Sequence, residues 1–177
     1  MKKIFFILFA LPLVFLSCNS KDETKTDVMT SDTQSSIQLP YEASYTTDFT
    51  NNVPDSELLV VLNSYKAWEN GDMNALRATM GDSMFVNGSN GFRFGGLTDS
   101  LMKQWQISRD SLSSVKITMD VWLKNHSVKD SSNFINVWYK EIDTYKSGKV
   151  DSANYEDDNL MRNGKISWFS SHKQVLK

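Results

Sequence analysis

The sequence has only one cysteine, Cys18, and only three prolines among its 177 residues. A single thiol forms no disulfide within a chain, so the core alone must hold the fold together. Histidine occurs only at His126 and His172, and no residues have the spacing of metal ligands, so we expect no metal and no cofactor. Gly-rich phosphate loops and basic runs are also missing, and the formal net charge is −2. These absences argue against binding of nucleotides and nucleic acids.

The longest apolar run, residues 4–16, follows the basic start Lys2-Lys3. It is too short to cross a bilayer as a helix but suits the apolar part of a signal peptide. It ends at Phe15-Leu16-Ser17-Cys18, which resembles the lipobox of bacterial lipoproteins, although Phe15 and Leu16 depart from the preferred residues. The resemblance implies a signal peptide over residues 1–17, lipidation of Cys18 and a protein anchored in the cell envelope, with the outer membrane favoured.

The residues after Cys18 are polar. Residues 18–38 are rich in Ser, Thr and Asp, which predicts a disordered tether. Within it, Lys21-Asp22-Glu23 resembles a signal for the outer face of the outer membrane, and an ordinary solvated tether explains it equally well. Residues 39–54 are bounded by prolines and carry spaced aromatics, so we expect an extended segment lying on the domain.

A change of hydrophobic period divides the rest of the chain. Apolar residues at helical spacing, with capping residues before them, predict helices that begin near Asp55, Met73 and Thr98, the second reaching Met80. A short strand pair separates the last two helices. From Val115 the period is two, and turn signals divide four predicted strands: about 115–128, 133–146, 149–162 and 165–175.

Three local motifs occur in a suggestive order. They are Asn70-Gly71-Asp72 with Leu76, the segment Gly81-Asp82-Ser83-Met84-Phe85-Val86, and Asn163-Gly164-Lys165-Ile166. Together they resemble the nuclear transport factor 2-like (NTF2-like) superfamily with its SnoaL-like members. The resemblance implies an α+β, cystatin-like cone over residues 55–177, with three N-terminal helices packed on a strongly curved mixed or antiparallel sheet. It also implies a pocket at the open end and a homodimer through the outer sheet face as one alternative.

Turn lengths set which side chains share a sheet face. Two-residue loops at Asn163-Gly164 and Ser147-Gly148 pair Asp157 with Trp138 and with Ser170. This register predicts a pocket for a small, partly apolar ligand, lined by Tyr65, Trp105, Asn136, Trp138, Tyr155, Asp157, Asn159 and Trp168. The opposite face, with Trp122, Tyr139 and Phe169, is then the association surface. A slip of one residue would exchange the two faces.

Asp157 is the first candidate catalytic residue. Its offset before Asn163 resembles that of the acid in ketosteroid isomerases, and the resemblance implies a protonated carboxyl that donates to an oxyanion. His172 is the second candidate, as an acid–base partner of Asp157. A solvated or ion-paired carboxylate near the open rim explains Asp157 better. Gly88 stands where the ketosteroid isomerases have their general base, and proton abstraction needs such a base. We therefore do not expect steroid isomerisation.

Three functions stay open. The sequence favours a non-catalytic module that binds a small ligand or acts through the outer face. The alternative is a SnoaL-like isomerase, cyclase or hydrolase using Asp157. A third reading is an accessory protein with a filled cone. An open cone with a deep Asp157 would favour the enzyme, and a cone closed by Tyr65, Trp68, Trp105 and Trp138 would favour the third reading.

Overall fold

A computed structural model describes residues 39–176 of the protein. The predictions on residues 1–38 and on Lys177, Cys18 included, lie outside that range. The helices are α1 (Asp55–Asn70), α2 (Met73–Ala78) and α3 (Thr98–Asp110). The strands are β1 (Phe49–Thr50), β2 (Met80–Asn87), β3 (Arg93–Leu97), β4 (Leu112–Ser127), β5 (Asn133–Tyr145), β6 (Val150–Arg162) and β7 (Lys165–Val175). Among the described residues, no helix is long and apolar enough to cross a membrane.

Local chemistry sets the helix boundaries. Gly71 has φ 73° and ends α1 in the left-handed conformation that glycine tolerates. The Asp72 carboxylate accepts a hydrogen bond from the Ala75 amide at 2.9 Å and so caps α2. The prediction that α2 reaches Met80 is wrong, because Met80 begins β2 and pairs with Ile166 of β7.

The strands form one mixed sheet in the order β1-β4-β5-β6-β7-β2-β3. Strands β2 and β7 are parallel, and the other neighbours are antiparallel. The long strands curve around the helices, which cover the inner face of the sheet and complete a core that includes Val61, Leu76, Met84, Leu101, Ile135, Val137 and Ile166. The predicted α+β fold with a mixed sheet is confirmed.

The last hairpin has the predicted turn but not the predicted register. Asn163 and Gly164 have φ 52° and 69° and form a two-residue loop, so that Arg162 faces Lys165. Ser167 is then an extra residue in β7, because Leu160 faces Trp168 while Met161 faces Ile166. Beyond this bulge every pairing is displaced by one residue.

The loop between β5 and β6 also differs from the prediction. It contains three residues, 146–148, because the Tyr145 amide donates to the Lys149 carbonyl at 2.8 Å and Gly148 has φ 86°. Asp157 consequently faces Val137 on β5 and Ser171 on β7, instead of Trp138 and Ser170. A one-residue slip turns side chains to the opposite face, so the predicted inner and outer faces must be reassigned.

The segment before α1 lies against the hairpin of β4 and β5. Phe49 and Thr50 pair with the end of β4, and Tyr45 and Phe49 pack edge-on against Phe134. The Tyr45 hydroxyl lies 2.7 Å from Asp130 Oδ1, to which it donates. These contacts hold the chain on the domain just before α1 begins.

Candidate functional site

A buried carboxyl links the helices to the inner face of the sheet. Asp157 on β6 is 0 % exposed, and its Oδ2 accepts hydrogen bonds from the hydroxyls of Tyr65 on α1 and Tyr139 on β5, at 3.0 and 2.8 Å. Both tyrosines are themselves buried, at 7 % and 5 % exposure. The carboxyl therefore lies behind two side chains that occupy the same oxygen.

The neighbours of Asp157 form a packed layer. Asn159 donates from Nδ2 to the Tyr65 hydroxyl at 3.3 Å and to the Ile135 carbonyl at 3.2 Å. The Tyr139 ring contacts Tyr65 edge-on, with centroids 5.0 Å apart, and stacks on Tyr155 at 5.2 Å. Hydrogen bonds and ring contacts thus hold the same side chains in place.

Burial raises the pKa of Asp157 to about 6, because a charged carboxylate loses its hydration inside the core. The hydroxyls of Ser171, Tyr139 and Tyr65 oppose this rise, and the neighbouring Asp158 adds to it. Oδ1 has no hydrogen-bond partner among the described residues. The site therefore protonates in the weakly acidic range.

Two more carboxyls follow along the inner face of β5. Glu141 is 8 % exposed, and burial, together with Asp143 and Asp157, raises its pKa to about 8. Burial also raises the pKa of Asp143. The Lys173 ammonium, which lies 5.3 Å from the Tyr155 ring centroid, opposes both shifts. Burial and the neighbouring carboxyls therefore favour the protonated form of Glu141.

The structure divides the predicted pocket residues between the two faces. Tyr65, Tyr155, Asp157 and Asn159 share the inner side, and Trp105 of α3 contacts Phe169 there at 6.3 Å. The placement of the other three, Asn136, Trp138 and Trp168, on the inner face is wrong, and so is that of the catalytic candidate His172. They face Asp158, Glu156, Leu160 and Glu156, respectively, on the outer side.

Two consequences follow for the predicted chemistry and association. His172 is exposed on the opposite face from Asp157, so the expected acid–base pair does not form. The predicted association surface does not form. Tyr139 and Phe169 pack in the core on the inner face of the sheet, and of the three residues only Trp122 is exposed. Tyr139 and Glu141 were missed as site residues, although strict alternation from Asp157 across a three-residue loop would have found both.

Concavities lie between the helices of the described residues. One of about 400 Å³ lies between α2 and α3, where Met73, Arg77 and Met102 contribute, and another of about 450 Å³ lies between α1 and α2. Asp157 lines neither of them. Within residues 39–176, no three His, Cys, Asp or Glu side chains are arranged to hold a metal ion.

No protein-family model matches the sequence, and no curated protein matches it. Solved structures do. An NTF2-like protein from Anabaena variabilis ATCC 29413 is 11% identical, with a TM-score of 0.57 over 71% of this chain and 94% of that one. An NTF2-like protein of unknown function from Burkholderia pseudomallei K96243 is 15% identical, with a TM-score of 0.53 over 67% and 91%.

An LEH-like epoxide hydrolase from M. tuberculosis is also similar. It is 10% identical to this chain, with a TM-score of 0.58 over 68% of this chain and 84% of that one. These similarities show that the fold is NTF2-like. Because the same fold carries proteins of unknown function and an epoxide hydrolase, it does not select a reaction, and the site has to be judged on its own residues.

Proposed function

We propose that this protein is a lipid-anchored envelope protein whose NTF2-like domain is a non-catalytic interaction module. The burial of Asp157 carries the proposal. A catalytic carboxyl must touch its substrate, whereas Asp157 is 0 % exposed and lies behind the buried rings of Tyr65 and Tyr139. The two tyrosine hydroxyls occupy Asp157 Oδ2, so a ligand reaches that oxygen only if the tyrosines move.

A domain with a filled interior interacts through its surface. The outer face of the sheet and its rim expose large apolar side chains, with Phe85 at 61 %, Leu97 at 66 %, Val121 at 46 % and Leu123 at 49 %. Phe85 and Leu97 lie on the neighbouring strands β2 and β3, and Val121 and Leu123 lie together on β4. Apolar residues exposed beside one another in this way are typical of interaction sites. The exposed apolar residues of the outer face therefore support an interaction module better than the buried carboxyl of the inner face supports catalysis.

Native mass spectrometry of the intact protein purified from its own host tests the filled cone. We expect the mass of the protein without a small molecule. A co-purifying molecule that is lost in Asp157→Asn and retained in Asp158→Asn would contradict the proposal. The two variants are matched, because both replace an aspartate of β6 but on opposite faces of the sheet.

One observation favours an enzyme as the second candidate. The pKa of Asp157, at about 6, lies near the pH at which a general acid or base works best. A structural neighbour is an epoxide hydrolase by name. Reaction at Asp157 would require Tyr65 and Tyr139 to move away from its Oδ2.

Hydrolysis of styrene oxide to its diol distinguishes the two candidates. We expect no rate above that of buffer for the wild-type protein. Turnover by the wild type that disappears in Asp157→Asn and persists in Asp158→Asn would establish the enzyme instead.

The lipid anchor rests on the apolar run of residues 4–16 and on the sequence Phe15-Leu16-Ser17-Cys18. Growth with labelled palmitate should label the wild-type protein and leave Cys18→Ala unlabelled. Label that persists in Cys18→Ala would refute the anchor. Cell fractionation then tests the proposed outer-membrane location, and protease added to whole cells tests whether the domain faces outward.

A further inference from the structure

The hairpin of β4 and β5 carries a group of exposed apolar side chains at its turn. Tyr45 and Phe49, from the segment before α1, lie here with ring centroids 6.3 Å apart and are 38 % and 41 % exposed. Val128 of the turn is 50 % exposed, and its amide donates to the Asp48 carbonyl at 3.1 Å. Contacts with the hairpin therefore hold these three side chains close together.

Leu39 and Tyr41 continue this exposed group toward the start of the described chain. They are 71 % and 86 % exposed, and Tyr41 has the largest exposed fraction of the large apolar side chains that reach the surface. Four residues span at most about 14 Å, so the Cα atom of Tyr41 lies within that distance of the Cα atom of Tyr45. The name tip patch is used below for Leu39, Tyr41, Tyr45, Phe49 and Val128.

The chain that leads to the proposed lipid anchor ends at the tip patch. Residues 19–38 connect Cys18 to Leu39. An extended chain advances by at most about 3.5 Å per residue, so a lipid on Cys18 would hold the patch within about 70 Å of the membrane surface. A linkage of this length gives the patch a high effective concentration at the bilayer, and even a weak contact with lipid is then populated.

We propose that the tip patch inserts into the interfacial layer of a zwitterionic phospholipid membrane. The inference rests on the proposed function, because the anchor at Cys18 brings the patch to the membrane. Tyrosine combines an apolar ring with a polar hydroxyl, and it is therefore favoured at the boundary between lipid and water. Leu39 and Val128 add purely apolar surface that is removed from water on insertion.

The charges around the tip patch select the headgroup. Glu42, Asp48 and Asp130 are exposed carboxylates beside the patch, and Lys129 is the one exposed ammonium in the turn. Three negative charges and one positive charge give this end of the domain a local charge of −2. An anionic headgroup is repelled by this charge, whereas the ammonium of an ethanolamine headgroup donates to carboxylates. We therefore expect phosphatidylethanolamine to be favoured over phosphatidylglycerol.

A second copy of the chain suits the tip patch less well. A two-fold symmetric interface places the same surface on both subunits. The carboxylates of Glu42, Asp48 and Asp130 would then face those of the partner, and like charges opposed in this way cost binding free energy. A bilayer with ethanolamine headgroups offers apolar surface and cations together.

The test places a polarity-sensitive fluorophore at single positions of the intact lipidated protein, reconstituted in vesicles of phosphatidylethanolamine and phosphatidylcholine. Cys18 is the only cysteine, and its thiol is consumed by lipidation, so an engineered cysteine is labelled alone. We expect the label in Val128→Cys to shift to shorter wavelength and to be quenched by brominated lipid. Replacing part of the phosphatidylethanolamine with phosphatidylglycerol should reduce the quenching.

Val150→Cys is the matched control. Val150 is 57 % exposed and lies at the opposite end of β5 from Val128, so its label should be neither shifted nor quenched. Equal quenching at the two positions, no quenching at position 128, or quenching that increases with phosphatidylglycerol would overturn the proposal. A dimer in detergent that Tyr41→Asp converts to a monomer would overturn it as well, because the patch would then bind a second copy.

Substitutions within the patch provide a second measurement. Leu39→Asp combined with Tyr41→Asp should weaken the contact about tenfold or more, and most of the quenching at position 128 should be lost, because charged side chains enter a bilayer at a high cost. Leu59→Asp combined with Ile107→Asp adds the same charges on α1 and α3 and should keep the quenching. Equal quenching in the two double variants would contradict the proposal, and thermal unfolding shows that each is folded.

Failure of the anchor and failure of the membrane contact are distinguishable. Palmitate label on Cys18 without quenching at position 128 would leave the lipid anchor in place and refute the contact alone. A wild-type protein without palmitate label would refute the anchor, and the membrane contact that rests on it would fall with it.

Discussion

Asp157 gives the stability of this protein an unusual pH dependence. Burial raises the pKa of its carboxyl from 3.8 to about 6 in the folded state. Between these two pH values the folded protein binds more protons at this site than the unfolded chain does. The free energy of unfolding therefore falls as the pH rises from about 3.8 to about 6, and this loss is complete above that range. The change in the pKa of Asp157 corresponds to about 3 kcal/mol of unfolding free energy.

Asp157→Asn removes the titration and keeps the shape of the side chain. The amide oxygen can still accept from Tyr65 and Tyr139, while the amide nitrogen takes the position of Oδ1, which has no partner among the described residues. That placement costs about 1–2 kcal/mol, independent of pH. The stability difference between variant and wild type should therefore move by about 2.4 kcal/mol in favour of the variant between pH 4 and pH 7.5, because part of the shift lies below pH 4.

Urea unfolding at intervals of half a pH unit from pH 4 to 8.5 measures this difference. Asp158→Asn is the control for removing one carboxylate from β6 without touching the buried network. Curves for wild type and Asp157→Asn that stay parallel over the whole range would refute the reasoning. They would show that the Asp157 carboxyl is solvated in the folded protein, and the case for a filled cone would fail with it.

Three further predictions concern other parts of the domain. In the same urea experiment, Glu141→Gln should lose less unfolding free energy than the wild type between pH 6 and 8. Burial raises the pKa of Glu141 to about 8, so charging this carboxyl destabilises the wild-type fold over that range. Equal losses in variant and wild type would contradict this. Tyr45→Phe should raise the pKa of Asp130 from about 2, as followed by carboxyl NMR, because the mutation removes the hydroxyl that favours the charged form. An unmoved pKa would exclude the contact in solution. Gly95→Ala should destabilise by about 1 kcal/mol in thermal unfolding, because its Cβ would lie 3.0 Å from the Phe85 ring, and the cost should vanish in a Phe85→Ala background.

Local sequence signals were sufficient for the helices and for the number of long strands. The cap at Asp72 acts on an amide three residues away, and Gly71 ends α1 through its own backbone conformation. Alternation over more than ten residues marks β4 to β7 without knowledge of their neighbours. Such features depend on contacts within a few residues, so they can be read from the sequence.

Register depends on single residues in places where the sequence is ambiguous. Ser147-Gly148 fits a two-residue loop, and it equally fits the three-residue loop in which Gly148 takes a positive φ. Nothing about the serine side chain predicts that Ser167 forms a bulge. In the folded protein its hydroxyl donates to the Leu160 carbonyl at 3.1 Å. The register is decided by how well a whole face of the sheet packs against the helices. A single sequence does not show which of two registers packs better.

These small differences in register change the role that we assign to Asp157. In the predicted register it shares a face with Trp138 and His172, which would suit a pocket with an acid–base pair. In the structure it shares the inner face with Val137 and Tyr139, and the Tyr65 hydroxyl joins it from α1. Burying a carboxyl costs free energy, so other interactions of that carboxyl must offset the cost. Its two tyrosine contacts connect α1 to β5 and β6, and we infer that they fix the position of this helix on the sheet. In this arrangement the carboxyl serves packing, and Trp138 lies on the opposite face of the sheet.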